Sequence, residues 1–289
     1  LKYTFMHAWI MGKRSTHVYT LPTDTAAMFF EPVVADKFFA AHRLEFSFPG
    51  VMDIGAQEMV IYSNRSPDLA YFTPVTLIES AQRSREERDN VFWAFDIQTR
   101  FIPGIELNAT FLLDDLNFPD FSKGLWTNRW AMQAGLFYAD PFTLPNTSLM
   151  IEYTRVEPYI FSHGRSRDND YASLGALLGP RVGPNGDSWF FRVDVLPHRN
   201  LTLSLRVALE RHGENEVDAA GKLIRNVGGN HLQPHRETDP LTKLFLDGVL
   251  MKTRRLQFIG TYEIVRQLWG DLSMEHEVVE NTIAGVEQK

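Results

Sequence analysis

The chain of 289 residues contains no cysteine, an absence that by itself assigns no compartment, although outer-membrane and periplasmic chains tolerate it. No apolar run approaches the eighteen or more residues that a transmembrane helix needs, so helical membrane spans are excluded. The formal net charge is −7 and no basic cluster compensates it locally, which argues against a nucleic-acid partner. The mean hydropathy of −0.22 is typical of soluble proteins, but a β-barrel also gives such values because half of each strand is polar.

Catalytic motifs are missing as well. The chain has no nucleophile elbow, zincin helix, P-loop or dinucleotide fingerprint, so we expect no enzymatic activity and no cofactor. His231 and His235 are four residues apart but lie in a loop rich in Gly and Pro, where this spacing does not bring zinc ligands together. The acidic segment 114–120 offers oxygen ligands, but its spacing is not that of an EF-hand. We therefore predict no metal site.

What the sequence does contain is a strong strand pattern, clearest over residues 90–113. Trp93, Phe95 and Ile97 alternate with Asp96 and Gln98, and a Pro-Gly pair leads into a second alternating run. Period-two alternation indicates extended strands, because successive side chains leave a strand on opposite faces. The sequence therefore predicts a tight hairpin with an aromatic face and a charged face. In a soluble sandwich the apolar face would meet a second sheet, and in an outer-membrane barrel it would meet lipid.

Similar strand patterns recur along the chain, and the connections between them alternate in length. The short ones are 49–50, 103–104, 139–146, 197–200 and 266–268, and the long ones are 64–89, 115–129, 157–188 and 212–253. Outer-membrane barrels alternate short periplasmic turns with long extracellular loops, and their strands need about nine to eleven residues to cross a bilayer. We therefore predict an all-β fold, a transmembrane antiparallel outer-membrane β-barrel, with a β-sandwich as the alternative.

The same pattern divides the chain into three segments. Residues 1–40 are predicted to hold a first strand and a long loop or plug, residues 41–278 the barrel strands, and residues 279–289 an extracellular loop or tail. About eleven strands ending on the outer side indicate an incomplete barrel, because bacterial barrels have an even number of strands. Glu58 lies on the same face as Ile54 and Val60, which predicts either a β-bulge or a register shifted by one residue.

Short fragments in a fixed order carry a resemblance to a known family. They are His42-Arg-Leu-Glu-Phe, Glu58…Tyr62, Tyr71…Pro74, Asp89-Asn90, Phe95-Asp96, Leu112-Leu-Asp-Asp115, Glu152-Tyr153-Thr154, Tyr159…Ser162-His163, Tyr171, Leu178-Gly179 and Gly183-Pro184-Asn185-Gly186-Asp187. Over about residues 41–213 this series resembles the capsule-assembly Wzi family of outer-membrane β-barrels. The resemblance implies a monomeric barrel with a plugged lumen, located in the bacterial outer membrane.

The same resemblance implies a non-catalytic protein that binds or organises surface polysaccharide. Aromatic residues in the loops, Tyr159, Phe161 and Tyr171, are then the candidates for stacking on sugar rings. Two alternatives remain: a structural or anchoring subunit of a larger cell-envelope complex, and a diffusion porin. The expected partners are outer-membrane lipid, surface polysaccharide and other envelope proteins.

Two further sets of residues follow from the barrel prediction. The residues predicted to line the lumen are Arg43, Glu45, Asp96, Arg100, Glu106, Arg192, Asp194 and Arg206. A cross-strand lattice of ion pairs is the simpler interpretation of this set, and a selectivity lining or a surface that holds a plug is the functional one. Aromatic residues near strand ends favour an interfacial belt. They are Trp126, Trp130, Tyr138, Trp189 and Trp269.

Overall fold

A computed structural model describes residues 1–21, 24–73, 77–83, 89–115, 118–164, 168–283 and 286–287. The fold is built almost entirely from β-strands. Among the described residues, no helix is both long enough and apolar enough to cross a membrane.

Sixteen strands follow one another in the part of the chain that the structure describes. They are β1 (Lys2–Leu21), β2 (Asp24–Phe48), β3 (Met52–Ser63), β4 (Asn90–Ile102), β5 (Ile105–Asp115), β6 (Arg129–Ala139), β7 (Thr147–Val156), β8 (Ala172–Ser173), β9 (Ala176–Leu177), β10 (Gly186–His198), β11 (Leu201–Glu214), β12 (Glu216–Val217), β13 (Leu223–Arg225), β14 (Val249–Val265), β15 (Leu268–Ile283) and β16 (Val286–Glu287). The helices in the described residues are α1 (Ile78–Arg83) and three 3-10 turns, Leu69–Phe72, Phe118–Lys123 and Pro141–Thr143.

Twelve of these strands form one antiparallel sheet in the order β1-β2-β3-β4-β5-β6-β7-β10-β11-β14-β15-β16. Every long strand pairs with its neighbours in sequence, so the sheet is a continuous meander. The hairpins β8–β9 and β12–β13 lie in long connections. In the part of the chain that the structure describes, β1 and β16 are the two edges of the sheet, and the sheet is not closed on itself. The all-β, antiparallel part of the prediction is confirmed.

The alternation of connection lengths from β2 to β15 is also confirmed. One end of the sheet carries the short turns 49–51, 103–104, 140–146, 199–200 and 266–267, and the other end carries the long connections 64–89, 116–128, 157–185 and 215–248. The described parts of the last three, 118–128, 157–164, 168–185 and 215–248, are called the loop layer below. The four long connections therefore lie together at one end of the sheet, where a site built from several loops can form.

The two faces of the sheet differ sharply. One, the apolar face, exposes large hydrophobic side chains such as Phe46, Phe95 and Leu205, each about 45% exposed. The other, the polar face, carries most of the charged strand positions and, at its loop end, a buried hydrophobic cluster that includes Phe92 and Phe161. Monomeric soluble proteins rarely expose apolar area on this scale, so the apolar face indicates contact with lipid or protein.

Two segment predictions are wrong. The loop predicted within 1–40 is instead taken up by β1 and β2, which pair through most of their length. Prolines at 22 and 32 are typical loop signals. Pro22 lies outside the described residues, whereas Pro32 is paired with Thr16, because cross-strand pairing overrides such a local preference. Likewise, β15 continues to Ile283, so the strand extends into the predicted tail because β14 offers it a partner as far as Val249.

Glu58 needs no bulge, because β3 runs in unbroken register between β2 and β4. Its side chain lies on the apolar face and is nevertheless buried. The carboxylate accepts hydrogen bonds from the backbone N–H groups of Ile78 and Glu79 at 2.7 and 2.6 Å. An acid on this face is therefore explained by the start of α1, which the connection between β3 and β4 folds back onto the sheet.

Candidate functional site

A cleft of about 590 Å³ opens at the loop end of the sheet. We call it the rim cleft. Its described walls come from the strand ends at Asn90 and Leu113, from Glu79 and Gln82 of α1, and from the loop layer around Trp126, His163 and His235. Strand ends fix one wall rigidly, and the loops supply most of the polar groups. Concave sites with a few convergent polar groups are the usual form of ligand sites.

An aromatic pair forms one side of the rim cleft. The rings of Trp126 and His235 stack with their centroids 4.0 Å apart and their planes at 5°. His235 is held in place by the hydrogen bond between its Nε2 and the carbonyl oxygen of Pro240 at 3.0 Å. The backbone N–H of Trp126 donates to the carbonyl of Leu241 at 3.0 Å. Both rings are only partly buried, so they offer a flat apolar surface with polar edges.

Charged groups lie beside this pair, and the guanidinium carbon of Arg129 is 6.0 Å from the centroid of the Trp126 ring. Arg129 lies between Asp114 and Asp115, with nitrogen–oxygen distances of 3.3 and 3.4 Å, and donates to the carbonyl of Ser162 at 2.9 Å. Asp114 is fully buried and accepts the backbone N–H of Phe161 at 2.8 Å. Asp115 is about half exposed. This arrangement offers a fixed guanidinium and an accessible carboxylate beside flat rings, a set of groups that can hydrogen-bond hydroxyls and stack on a sugar.

One buried ion pair joins two connections of the loop layer, and another fastens the loop layer to the sheet. Lys243 is 2.9 Å from Glu157, and both side chains are almost fully buried. Burial lowers the pKa of Lys243, while Glu157 acts in the opposite direction. On the other side, Lys37 of β2 donates to the carboxylate and to the carbonyl of Asp170, each at 2.7 Å. Because an unpaired buried charge is costly, each pair holds its loop in one position.

The three rings predicted to bind sugar have other surroundings. Tyr159 and Phe161 are buried in the loop layer, and Tyr171 is partly buried against them. Phe161 stacks on Tyr171 at 5.2 Å, and the Tyr159 hydroxyl donates to the carbonyl of Asn226 at 2.9 Å. The sugar-binding role of these residues stays a prediction, but their placement gives them a packing role. Burial raises the pKa of Tyr159 to about 12, and nearby Asp239 acts in the same direction.

All eight residues predicted to line a lumen lie on the polar face, and seven of them form ion pairs. Arg43 bridges Asp96 and Glu45, Arg100 bridges Asp53 and Glu106, and Arg192 pairs with Asp194 at 2.7 Å. Arg206 has Ser204 and Gln257 as hydrogen-bond partners, each at 3.4 Å. The arrangement matches the simpler interpretation, a cross-strand lattice of charges.

Gly55 shows how closely this lattice is fitted. It lies on β3 between Arg43 of β2 and Asp96 of β4, and the guanidinium reaches over it to the carboxylate. A Cβ atom at this position would approach both side chains within 2.5 Å. Only glycine leaves room for the bridge over the middle strand in this arrangement.

A second cavity of about 510 Å³ lies farther along the polar face. It is lined by polar-face side chains of β6, β7, β10, β11, β14 and β15 and by residues 180–182 of the loop layer. Arg255 lies between Glu210, Glu275 and Glu277, with the shortest nitrogen–oxygen distance, 2.5 Å, to Glu277. Acids and bases are therefore mixed here, and mutual pairing occupies most of the charged groups.

Metal-binding groups do not converge among the described residues. His231 forms a hydrogen bond with the carbonyl of Gly175 at 3.0 Å, while His235 stacks on Trp126. The two histidines therefore contact different connections and do not face a common site. Asp114 and Asp115 are paired with Arg129. Asn117 and the side chain of Asp120, the other members of the acidic segment, lie outside the described residues.

The residues of the rim cleft were not singled out as a site by the sequence. The sequence predicts an interfacial position for Trp126 because it lies near a strand end, and it presents His235 only as a candidate zinc ligand. In the structure Trp126 belongs to the loop layer and packs against Tyr159 and His235. An isolated β-bridge between Leu125 and Thr242 holds the two loops that carry Trp126 and His235 together. No local sequence pattern predicts this bridge.

Comparisons with known proteins give one informative result. No family model matches the chain, and no curated protein matches it. Among solved structures it is similar to Wzi, an outer membrane protein involved in group 1 capsule assembly in Escherichia coli and described as a carbohydrate-binding beta-barrel. The TM-score is 0.54 at 13% sequence identity, and the match covers 86% of this chain.

The chain spans about half, 52%, of the length of that structure. At this level of identity the likeness concerns the fold alone, and the resemblance seen in the sequence fragments is confirmed to that extent. The antiparallel sheet of this chain is thus similar in fold to the sheet of a carbohydrate-binding outer-membrane barrel.

Proposed function

We propose that this chain forms part of the wall of a bacterial outer-membrane barrel that binds or organises surface polysaccharide without catalysing a reaction. The rim cleft is the proposed binding site. The observation that carries the proposal is the combination, at the loop end of the sheet, of the Trp126–His235 stack with the half-exposed Asp115 and the fixed Arg129. The likeness in fold to a carbohydrate-binding barrel supports it.

The membrane part of the proposal rests on the two faces of the sheet. Large side chains such as Phe46, Phe95 and Leu205 are exposed on one face, whereas the opposite face carries ion pairs and the loop layer. This is the distribution of a sheet whose outer surface contacts hydrocarbon and whose inner surface is polar. The long connections then face outward from the cell, where polysaccharide is present.

Binding of polysaccharide extracted from the producing cells to the purified barrel tests the proposed site. We expect Trp126→Ala to weaken binding at least tenfold, which corresponds to about 1.4 kcal/mol, because the flat surface of the cleft is lost. Asp115→Asn, a change at an exposed side chain, should weaken binding in the same direction. The control is Trp189→Ala, which removes an exposed ring on the apolar face far from the cleft. Binding that is absent in the parent protein, or unchanged by both cleft variants, would contradict the proposal.

A second candidate is an anchoring subunit of a larger envelope complex. The favouring observation is that β1 and β16 are edges of the sheet in the described residues, and exposed sheet edges are places where further strands can pair. Purification in mild detergent separates the two candidates. A partner that remains bound in a fixed ratio would favour the anchoring role, whereas a lone protein that binds polysaccharide would favour the first.

A further inference from the structure

Part of the connection between β3 and β4 lies on the apolar face instead of extending beyond the sheet. Residues 65–73 and 77–83, which we call the bracket, cover the loop-side ends of β2 and β3. Tyr71 and Ile78 of the bracket are buried against Phe38, Val60 and Tyr62 of these strands. Unlike the loop layer, the bracket therefore lies on the side of the sheet where the exposed hydrophobic residues are.

Several contacts fasten the bracket to the sheet. The buried Glu58 accepts the backbone N–H groups of Ile78 and Glu79. Phe72 stacks on His7 of β1 with centroids 4.1 Å apart, and the hydroxyl of Tyr71 donates to Asp89 at 2.6 Å. The bracket is thus attached to β1, to β3 and to the residue that precedes β4, and these contacts fix its position on the sheet.

The bracket also has its own exposed apolar surface. Leu69 is 79% exposed, Leu77 is 59% exposed and Phe72 is 39% exposed. Leu69 and Leu77 are turned away from the sheet, Phe72 keeps part of its ring exposed while stacking on His7, and Tyr71 and Ile78 are buried against the sheet. The exposed side of the bracket therefore carries three large apolar side chains among small polar ones such as Ser66 and Thr73, while its polar anchors lie on the side attached to the sheet.

Strand lengths indicate what this surface meets. On β11 the outward positions from Leu201 to Leu209 are all apolar, a strip of eight residue steps or about 26 Å along the strand. On β2 the uncovered strip runs only from Leu44 to Phe48, four steps or about 13 Å. An outer-membrane barrel has an apolar band about 25 Å tall all around its outside. The bracket therefore occupies the height at which β2 and β3 would otherwise contact the outer part of the bilayer.

The backbone of the bracket is suited to that location. The N–H of Asp68 donates to the Tyr62 hydroxyl at 3.1 Å, and that of Ala70 donates to the Asp68 carboxylate at 3.0 Å. The N–H of Tyr71 donates to the carbonyl of Asp68 at 3.0 Å. Together with the two N–H groups bound by Glu58, these donors are satisfied within the protein. Irregular backbone near hydrocarbon requires this, whereas a segment in water does not.

From these observations we infer that the bracket is a lipid-contact element, with Leu69, Phe72 and Leu77 set among the acyl chains and headgroups at the outer edge of the bilayer. The inference rests on the proposed membrane location of the sheet. The exposed apolar side chains of the bracket continue the apolar band of the sheet, and interfacial segments bind lipid through such a face. The partner is the lipid surface itself.

Nitroxide labels test this directly, because the chain has no cysteine and each introduced cysteine is unique. The variants Leu69→Cys, Leu77→Cys, Phe95→Cys and Lys222→Cys are labelled in the full chain and placed in vesicles of phosphatidylethanolamine and phosphatidylglycerol. The measured quantity is the ratio of collision rates with oxygen and with a water-soluble nickel chelate. We expect the ratios at positions 69 and 77 to be several-fold higher than at Lys222, an exposed loop position, and to approach that at Phe95.

Ratios at positions 69 and 77 equal to that at Lys222, with a high ratio at Phe95, would overturn the inference while leaving the proposed membrane location intact. Labels at 69 and 77 shielded from both reagents would also overturn it, because protein would then cover the bracket. A ratio at Phe95 as low as that at Lys222 would overturn the membrane location, and the inference with it.

Discussion

At the residue scale, Tyr159 illustrates how strongly the loop layer is packed. Its hydroxyl bonds to the carbonyl of Asn226, and its backbone N–H donates to the carbonyl of Gly228 at 2.9 Å. Gly228 has a φ of +78°, and a Cβ there would lie 2.5 Å from the Tyr159 nitrogen. The close approach of the two loops therefore depends on a glycine. The side chain of Tyr159 is almost completely buried from solvent.

This environment predicts a pH dependence. The pKa of Tyr159 is raised to about 12 in the folded protein, against about 10 in an unfolded chain. The folded state keeps the phenol proton at pH values where the unfolded state loses it. The resulting stabilisation is complete below pH 10 and is lost as the pH rises from 10 to 12, by up to about 2–3 kcal/mol.

Denaturant titrations of the parent protein and of Tyr159→Phe, at several pH values from 9 to 12, measure the effect. The variant lacks the titrating group, so its stability should fall less steeply over that window, although it also loses one hydrogen bond worth about 1 kcal/mol at neutral pH. If the free energies of unfolding of the two proteins fell in parallel between pH 10 and 12, the pKa of Tyr159 would not be raised in the folded state.

Phe95 carries a second prediction at this scale. If the apolar face meets lipid, Phe95→Arg places a charge near the bilayer midplane and should reduce the free energy of unfolding by about 2–4 kcal/mol. The control is Thr110→Arg, which lies opposite Asp96 on the polar face of the neighbouring strand and should change stability little. Phe95→Leu should also cost almost nothing, because fluid lipid leaves no cavity. A substantial loss for leucine, about 1 kcal/mol or more, would indicate a protein-packed face.

At the element scale, the sequence allowed the hairpin β4–β5 to be predicted almost to its ends, because period-two alternation was clear on both strands. The sequence-based prediction was wrong for residues 11–40, the later part of β1 and the first part of β2. Prolines and polar residues there suggest a loop, and only the pairing of the two strands makes the segment extended. The prediction also failed for the rim cleft. Trp126 and His235 meet through contacts between two distant loops, and local patterns do not determine which loop aromatics become buried.

The bracket gives the prediction at this scale. Glu58→Gln replaces a charged acceptor of two N–H groups by a neutral amide that offers a single acceptor oxygen. Hydrogen bonds to charged groups contribute about 1.5–3 kcal/mol, so the amides of Ile78 and Glu79 should exchange with solvent about tenfold faster or more. Hydrogen-exchange mass spectrometry of the peptide that covers α1 measures this.

The matched control is Glu106→Gln, whose side chain lies on the polar face and pairs with Arg100. Exchange in the α1 peptide should not change in that variant. If Glu58→Gln left the exchange of α1 unaltered, the carboxylate would not be what fastens the bracket.

At the scale of the whole molecule, the position of the loop layer leads to a prediction about conductance. It packs on the loop end of the polar face, where Ile160, Phe161 and Val182 join a buried hydrophobic cluster with Phe92 and Ile61. Displacing the loop layer from the sheet would expose these buried apolar side chains. We therefore expect the protein, inserted in planar bilayers, to show no steady open-pore conductance, and a large constant conductance would favour the diffusion porin.

Cysteine labelling in intact cells tests the central claim, that the sheet spans the outer membrane with its long connections outside, most directly. Ala219→Cys lies at an exposed position of the long 215–248 connection, and Arg199→Cys lies in the short exposed turn between β10 and β11. With a membrane-impermeant thiol reagent, we predict that position 219 reacts in intact cells and that position 199 reacts only after the outer membrane is permeabilised. Reaction at position 199 in intact cells, or protection of both positions until the cells are lysed, would contradict the account.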